Sequence, residues 1–254
     1  MKMKVSAVGG TDTGLVRSLN EDSFLISGFE NGEPHGFCIL ADGMGGHNAG
    51  EVASAMATEI IANELSNSEF GDDEENIVSN ITASLDYANN EIYNKSVSNS
   101  ANAGMGTTAV VVYLDKNTAY IANIGDSRAY LIENNRITQL TTDHSIVQKL
   151  VESGSITPEE ARNHPEKNII TKALGTEPTE EYDIYEFAVR EGDKILLCSD
   201  GLSDMIEDSQ INDILNQDLC PDDAISALIS AAKENGGRDN ITVVLMSFVK
   251  EEQP

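Results

Sequence analysis

No apolar run in the sequence exceeds about seven residues, far short of the roughly 20 that a membrane-spanning helix requires, and the opening MKMKVSAVGG lacks the apolar region of a secretory signal. A cytoplasmic protein with no membrane partner is expected. Cysteine is scarce too. Cys38, Cys198 and Cys220 are irregularly spaced, and the first two lie inside apolar runs, so free thiols are expected and a disulfide framework is excluded. Basic residues number 16 against 43 acids, a net charge of −27, which repels a phosphate backbone and excludes nucleic acid as a partner. Internal repeats, low-complexity tracts and linkers rich in Gly, Ser or Pro are absent. Residues 1–254 therefore read as a single domain, and the 40% hydrophobic content suffices for a core. Most of the acids are a solubilising surface, so any functional inference rests on the few placed elsewhere.

Two long helices can be read from periodicity. Val52, Met56 and Ile60 form one stripe beside Ala53, Ala57, Ile61 and Leu65. Ile77, Ile81, Leu85, Ala88 and Ile92 form a second, behind an acidic first turn at Asp72 to Glu75. Together they predict a helical hairpin. Around it lie β-branched runs at 23–26, 36–41, 107–114, 118–124, 128–132, 194–199 and 240–249, with Asp115-Lys116-Asn117 and Asn134-Asn135 as hairpin turns. Residues 144–180 carry short helical pieces, among them a capping box at Thr157 to Glu160 with Pro158 at the first helical position. A final helix spans about Asp222 to Lys233 and stops at Gly236-Gly237. Strands, then helices, then strands again predict an α+β layered fold.

The informative pattern is where the apolar runs stop. GFCILA runs into Asp42-Gly43 and KILLCS into Asp200-Gly201; Asp239 and Asp22 each stand just ahead of a strand, and Asp126 follows TAYIANI and Gly125. One Asp-Gly is merely a common turn. Five acids at strand ends are more informative, because if those ends share one edge the carboxylates converge and repel, and hard divalent cations relieve the conflict. Magnesium or manganese suits carboxylate, carbonyl and water oxygens, and a glycine after a ligand lets the backbone approach the metal. Two such cations would activate water for attack on phosphorus and offset charge on the phosphoryl oxygens. Arg17, five residues before Asp22, offers a planar fork of donors for phosphate.

Arg17 to Asp22, Ala41 to His47, Gly106-Thr107-Thr108, Ile124 to Arg128, Cys198 to Leu202 and Gly237 to Asn240 resemble, in order, the motifs of the metal-dependent protein phosphatases, the PPM or protein phosphatase 2C family. The wording DGMGGH and the segment at 140–175 are most similar to its bacterial stand-alone members. The resemblance implies a four-layer α-β-β-α sandwich, two antiparallel sheets flanked by helix pairs, with metals at one end. It implies that Asp42 bridges two Mn2+ or Mg2+ ions, that Asp200 and Asp239 complete one, and that the Gly43 carbonyl reaches the other. Glu21 and Asp22 would hold metal waters, Asp126 with Asp200 a third metal, and Arg17 the substrate phosphate. Residues 144–180 would be the flap that affects substrate choice, with His144 and His164 packing within it.

The resemblance further implies a phosphoserine/phosphothreonine phosphatase, acting as a monomer on phosphoproteins and opposing a Ser/Thr protein kinase. One departure stands out. Animal-type members have a histidine directly after Asp-Gly as proton donor, and this chain has Met44; His47, three residues further on, reads first as a loop-ordering residue and second as the remaining candidate donor. Lys172 replaces an arginine common at its position. Competing readings are a nucleotide-binding site on Gly43, Gly45, Gly46 and Gly50, which lacks a P-loop lysine; an aspartyl-phosphate phosphatase on SDGLSD, which lacks DxDxT; and a non-catalytic binding module, disfavoured by intact Asp42, Asp200 and Asp239.

Overall fold

The computed structural model describes residues 3–29, 31–45, 49–68, 74–98 and 100–250. Strands β1 (Met3–Asp12), β2 (Asp22–Ser27) and β3 (His35–Met44) are followed by helices α1 (Ala49–Asn67) and α2 (Glu74–Ser98). Then come β4 (Gly106–Thr107), β5 (Ala109–Asp115), β6 (Thr118–Ile124), β7 (Arg128–Glu133) and β8 (Arg136–Gln139). Short helices α3 (Ile146–Glu152) and α4 (Pro158–Arg162) precede β9 (Asp183–Ala188) and β10 (Lys194–Cys198). Helices α5 (Asp200–Ser203), α6 (Asp208–Leu215) and α7 (Pro221–Glu234) lead to β11 (Ile241–Lys250).

Two antiparallel sheets result. One has the order β1-β11-β10-β7-β8; the other runs β2-β3-β5-β6-β9, with β4 added against β3. Period-two alternation explains how they stack. In β5, Val110, Val112 and Leu114 point into a core shared with Leu197, Val244, Met246 and Phe248 of the opposite sheet. Ala109, Val111 and Tyr113 point the other way, into a core with α1 and α2. In β11, Val243 and Leu245 meet Ile211, Leu228 and Ala232 of α6 and α7. The layers are therefore helices, sheet, sheet, helices, as the resemblance implied, and the central strands are apolar throughout because both faces are buried.

The two hairpin turns use left-handed backbone at Lys116 (φ 55°) and at Asn134 and Asn135 (φ 49° and 61°), which suits the twist of the flanking strands. The capping box forms, with Glu160 N–H donating to Thr157 Oγ1 and Thr157 N–H to Glu160 Oε2. Three strands escaped the periodicity reading: β1, β8 and β9. The first two carry few buried large side chains, and β9 is a half-exposed edge. No helix among the described residues is long and apolar enough to cross a membrane. Cys38, Cys198 and Cys220 are free thiols.

Candidate active site

Register places the acids at one end of the sandwich. Asp22 opens β2 directly opposite Asp42 in β3, so Asp42 sits inside the strand, which continues to Met44. At the same end β10 finishes at Cys198, paired to Val243 near the start of β11, and β6 finishes at Ile124 ahead of Asp126. Asp200 is the first residue of α5, and Asp239 lies just before β11. Arg17, Glu21, Asp42, Gly43, Asp126, Asp200 and Asp239 line one open cavity of about 300 Å³. Asp22 is paired with Asp42 in the ladder and is not itself on the cavity wall. His47 falls outside the described residues.

Close backbone approach explains the glycines. A Cβ on Gly43 would stand 2.1 Å from the Gly50 carbonyl oxygen and 2.5 Å from that of Glu21, and one on Gly201 would stand 1.9 Å from that of Asn240. Only a missing side chain lets these segments meet. Gly43 N–H donates to the Glu21 carbonyl (3.0 Å), which ties the Arg17 to Asp22 segment to β3.

Three polar anchors were not singled out from sequence. Asn240 Nδ2 donates to the carbonyls of Thr13 (3.0 Å) and Leu19 (2.9 Å), while its Oδ1 accepts from Glu21 N–H (2.8 Å), so one side chain fastens both ends of the loop carrying Arg17. Thr108 Oγ1 accepts from Asp42 N–H (3.0 Å) and contacts Ser127 Oγ (2.7 Å). Ser199 Oγ accepts from Thr242 N–H (3.0 Å) and donates to Asp22 Oδ2 (2.8 Å). Each is a polar residue beside a buried apolar run, and that was the available signal. His144, expected to pack within the flap, instead hydrogen-bonds to Gly125 N–H and Asp183. Side chains between Ser145 and Asn168 also form one wall of a cleft of about 830 Å³ that shares Asp126, Asn168 and Asp200 with this cavity and is lined by both partners of the Arg162–Glu207 ion pair (2.9 Å) and of Lys167–Asp204.

The acids are electrostatically frustrated. Burial, followed by the negative charges of Asp22, Asp200, Asp126 and Asp239, holds Asp42 well above the usual carboxylate range. Asp200 is raised likewise by burial, then by Asp126, Asp204, Asp239 and Asp22. Burial pushes Asp22 up to about 6, even though Ser199 Oγ donates to its Oδ2. Burial and then Asp143 push Asp126 up to about 7. Arg17, donating to Asp239 Oδ2 at 2.8 Å with Glu21 at 4.0 Å, is the lone basic side chain on the cavity wall and is itself half exposed. Asp22 Oδ1 is buried without a donor.

These features fit divalent cations. Five carboxylates around one cavity, one orphaned buried oxygen and a single guanidinium leave negative charge uncompensated, and oxygen is the donor that hard cations prefer. Among the described residues no three His, Cys, Asp or Glu side chains are gathered closely enough to hold a metal ion as they stand.

Residues 6–150 match the profile of Protein phosphatase 2C. The chain is 40% identical over 236 residues to the serine/threonine phosphatase Stp of Listeria welshimeri, covering 93% of each chain. Its fold superposes on the serine/threonine phosphatase Stp1 from Staphylococcus aureus with a TM-score of 0.90 at 36% identity, covering 97% of each. It also superposes on the catalytic domain of the phosphatase PstP, solved with two manganese ions, with a TM-score of 0.84 at 35% identity over 98% of this chain and all of that one. The chain belongs to the protein phosphatase 2C family. Within it, this is a metal-dependent serine/threonine protein phosphatase of the bacterial type.

Proposed function

We propose that the cavity hydrolyses phosphoserine and phosphothreonine in proteins, with Asp42, Asp200 and Asp239 holding two divalent cations, manganese or magnesium, aided by the Gly43 carbonyl. The observation that carries this reading is the convergence of Asp42, Asp126, Asp200 and Asp239 on one cavity whose charge is unmatched by any comparable set of bases. When bound, the cations supply an acidified water as nucleophile and offset charge on the phosphoryl oxygens. Asp42, set rigidly inside β3 and held through its N–H by Thr108, is the shared ligand. Glu21 and Asp22 orient waters from behind it, and Asp126 with Asp200 offers a third, weaker position.

Arg17 takes two phosphate oxygens, and its loop is held for that purpose by Asn240. Met44 has no proton to give the departing seryl oxygen, which leaves His47 as the remaining candidate donor beside a loop-ordering role. Residues 144–180 act as a flap within the single domain and meet the polypeptide around the phosphoresidue. The setting is the cytoplasm, where the chain works as a monomer against a Ser/Thr protein kinase.

The test is release of p-nitrophenol from its phosphate ester, and of phosphate from a phosphothreonine peptide, with manganese and with EDTA. Turnover only with metal supports the reading. Metal-independent turnover, or a well-folded protein that binds manganese without turnover, would end it.

A further inference from the structure

We propose that His144 is a positioning residue that fixes the Gly125-Asp126 loop and couples it to the base of the flap. Its backbone N–H donates to the Gly125 carbonyl (2.9 Å), and its ring Nδ1 accepts from Gly125 N–H (3.1 Å). Both backbone groups of the residue before Asp126 are thus satisfied by one histidine. A backbone N–H can only donate, so Nδ1 must present its lone pair and the ring proton resides on Nε2. Nε2 faces Asp183 Oδ2 at 3.1 Å, and that same oxygen accepts from Tyr185 Oη at 3.0 Å. A carboxylate therefore orients the ring, and the ring orients a backbone.

Gly125 has no latitude on its other side. Its φ is +105°, and a Cβ there would stand 2.5 Å from Thr108 Cγ2. Thr108 is the residue whose hydroxyl accepts from Asp42 N–H. The loop is consequently wedged between Thr108, which touches the Asp42 strand, and His144. His144 is also the first residue of the flap: its carbonyl accepts from Thr171 N–H (2.7 Å), Ser145 bridges to Ile170, and Ile146 N–H donates to the Ile169 carbonyl (2.9 Å). Ile170 and Asn168 line the catalytic cavity beside Asp126. One buried side chain thus joins the loop bearing Asp126 to the neck of the segment that faces the substrate.

This inference rests on the reading that Asp126 meets a cation. The experiment is a double-mutant cycle on Asp126→Ala and His144→Ala, read by direct manganese titration calorimetry as well as by kinetics. If His144 acts through Asp126, His144→Ala weakens the weakest manganese-binding step by roughly tenfold, the usual scale for an orienting partner, Asp126→Ala weakens it at least as much, and the double mutant is no weaker than Asp126→Ala. His144→Asn keeps an oxygen where Nδ1 stands and recovers binding to within about threefold of wild type. It also serves if His144→Ala does not fold, because loss of Asp183 contact alone then gives the smaller effect.

Additive losses in the cycle, or an Asn variant that folds and binds manganese no better than the Ala variant, would overturn the proposal. So would a fall in thermal stability with manganese binding unchanged. Asp126→Ala that binds manganese like the wild type would remove Asp126 from the metal site and this proposal with it, while manganese-dependent turnover of p-nitrophenyl phosphate would leave the phosphatase reading standing.

Discussion

Asp22 and Asp42 face each other across the β2–β3 ladder, and the charge of Asp22 adds to burial in holding Asp42 above the usual carboxylate range. Two carboxylates so placed cannot both be ionised without compensation, so in metal-free protein a proton holds the place that a cation takes over.

Asp42→Asn keeps the shape and removes one charge from this pair. Losing several kcal/mol of charge stabilisation corresponds to roughly a thousandfold fall in turnover, since about 1.4 kcal/mol is tenfold. In EDTA the same variant is expected to melt at or above the wild-type temperature, because it relieves repulsion. Circular dichroism melts and p-nitrophenyl phosphate assays check both; a variant that is active, or strongly destabilised without metal, contradicts the assignment.

Metal-free protein should lose stability as pH rises. Asp22 and Asp126 are raised to about 6 and about 7, above the ordinary carboxylate value near 3.9, so between about pH 4 and 7 the folded state binds more protons than the unfolded. Their stabilising contribution is complete below that window and disappears as pH climbs through it, at up to about 1.4 kcal/mol per pH unit for each titrating group. Denaturant titrations in EDTA at pH 5.5 and 8 measure this. Manganese should reverse the trend, because deprotonated carboxylates bind it. A metal-free protein more stable at pH 8 would be the contrary result.

Asn240→Ala removes three hydrogen bonds at once and leaves two part-buried carbonyls without this donor, at a cost of roughly 1–3 kcal/mol. With the Arg17 loop released, KM for phosphopeptide should rise several-fold even where the variant is fully folded. An unchanged KM would show that Asn240 serves stability alone.

Gly201→Ala sets a methyl group 1.9 Å from the Asn240 carbonyl oxygen, a contact that neither backbone can accept. The start of α5 must move, taking Asp200 with it. Weaker manganese binding by calorimetry, with loss of stability of about 1–3 kcal/mol, is the expected result.

Arg17→Ala should raise KM more than it lowers kcat, since a guanidinium that grips substrate and transition state alike contributes uniform binding. Arg17→Lys, lacking the planar fork, should recover only part of this. A pure kcat loss would assign Arg17 to the transition state. Steady-state kinetics on one phosphopeptide decide it.

Much of this site could be read from residue order because its parts are where buried strands end. Asp42, Asp200 and Asp239 interrupt or border runs that are apolar on both faces, and such interruptions are conspicuous. The helices α1 and α2 were equally plain from their stripes. Less visible were β1, whose alternation is broken by Gly9 and Gly10, and β9, whose half-exposed face reads like loop. The supporting side chains were harder still. Thr108, Ser199 and Asn240 matter through backbone groups distant in sequence, and nothing in a linear pattern says which carbonyl a buried hydroxyl or amide will meet. His144 looked like a packing residue for the same reason: its partners, Gly125 and Asp183, come from either side of it in the chain.

The strand β1 has one neighbour in its sheet, and that neighbour is β11. Met3 lies opposite Lys250, and Asp12 opposite Ile241. During synthesis β1 must therefore wait, unpaired, for β11, and pairings so distant along the chain are slow to form. Asp239 arrives only with that closing segment. A chain synthesised only as far as β10 would thus lack both this closing pairing and Asp239.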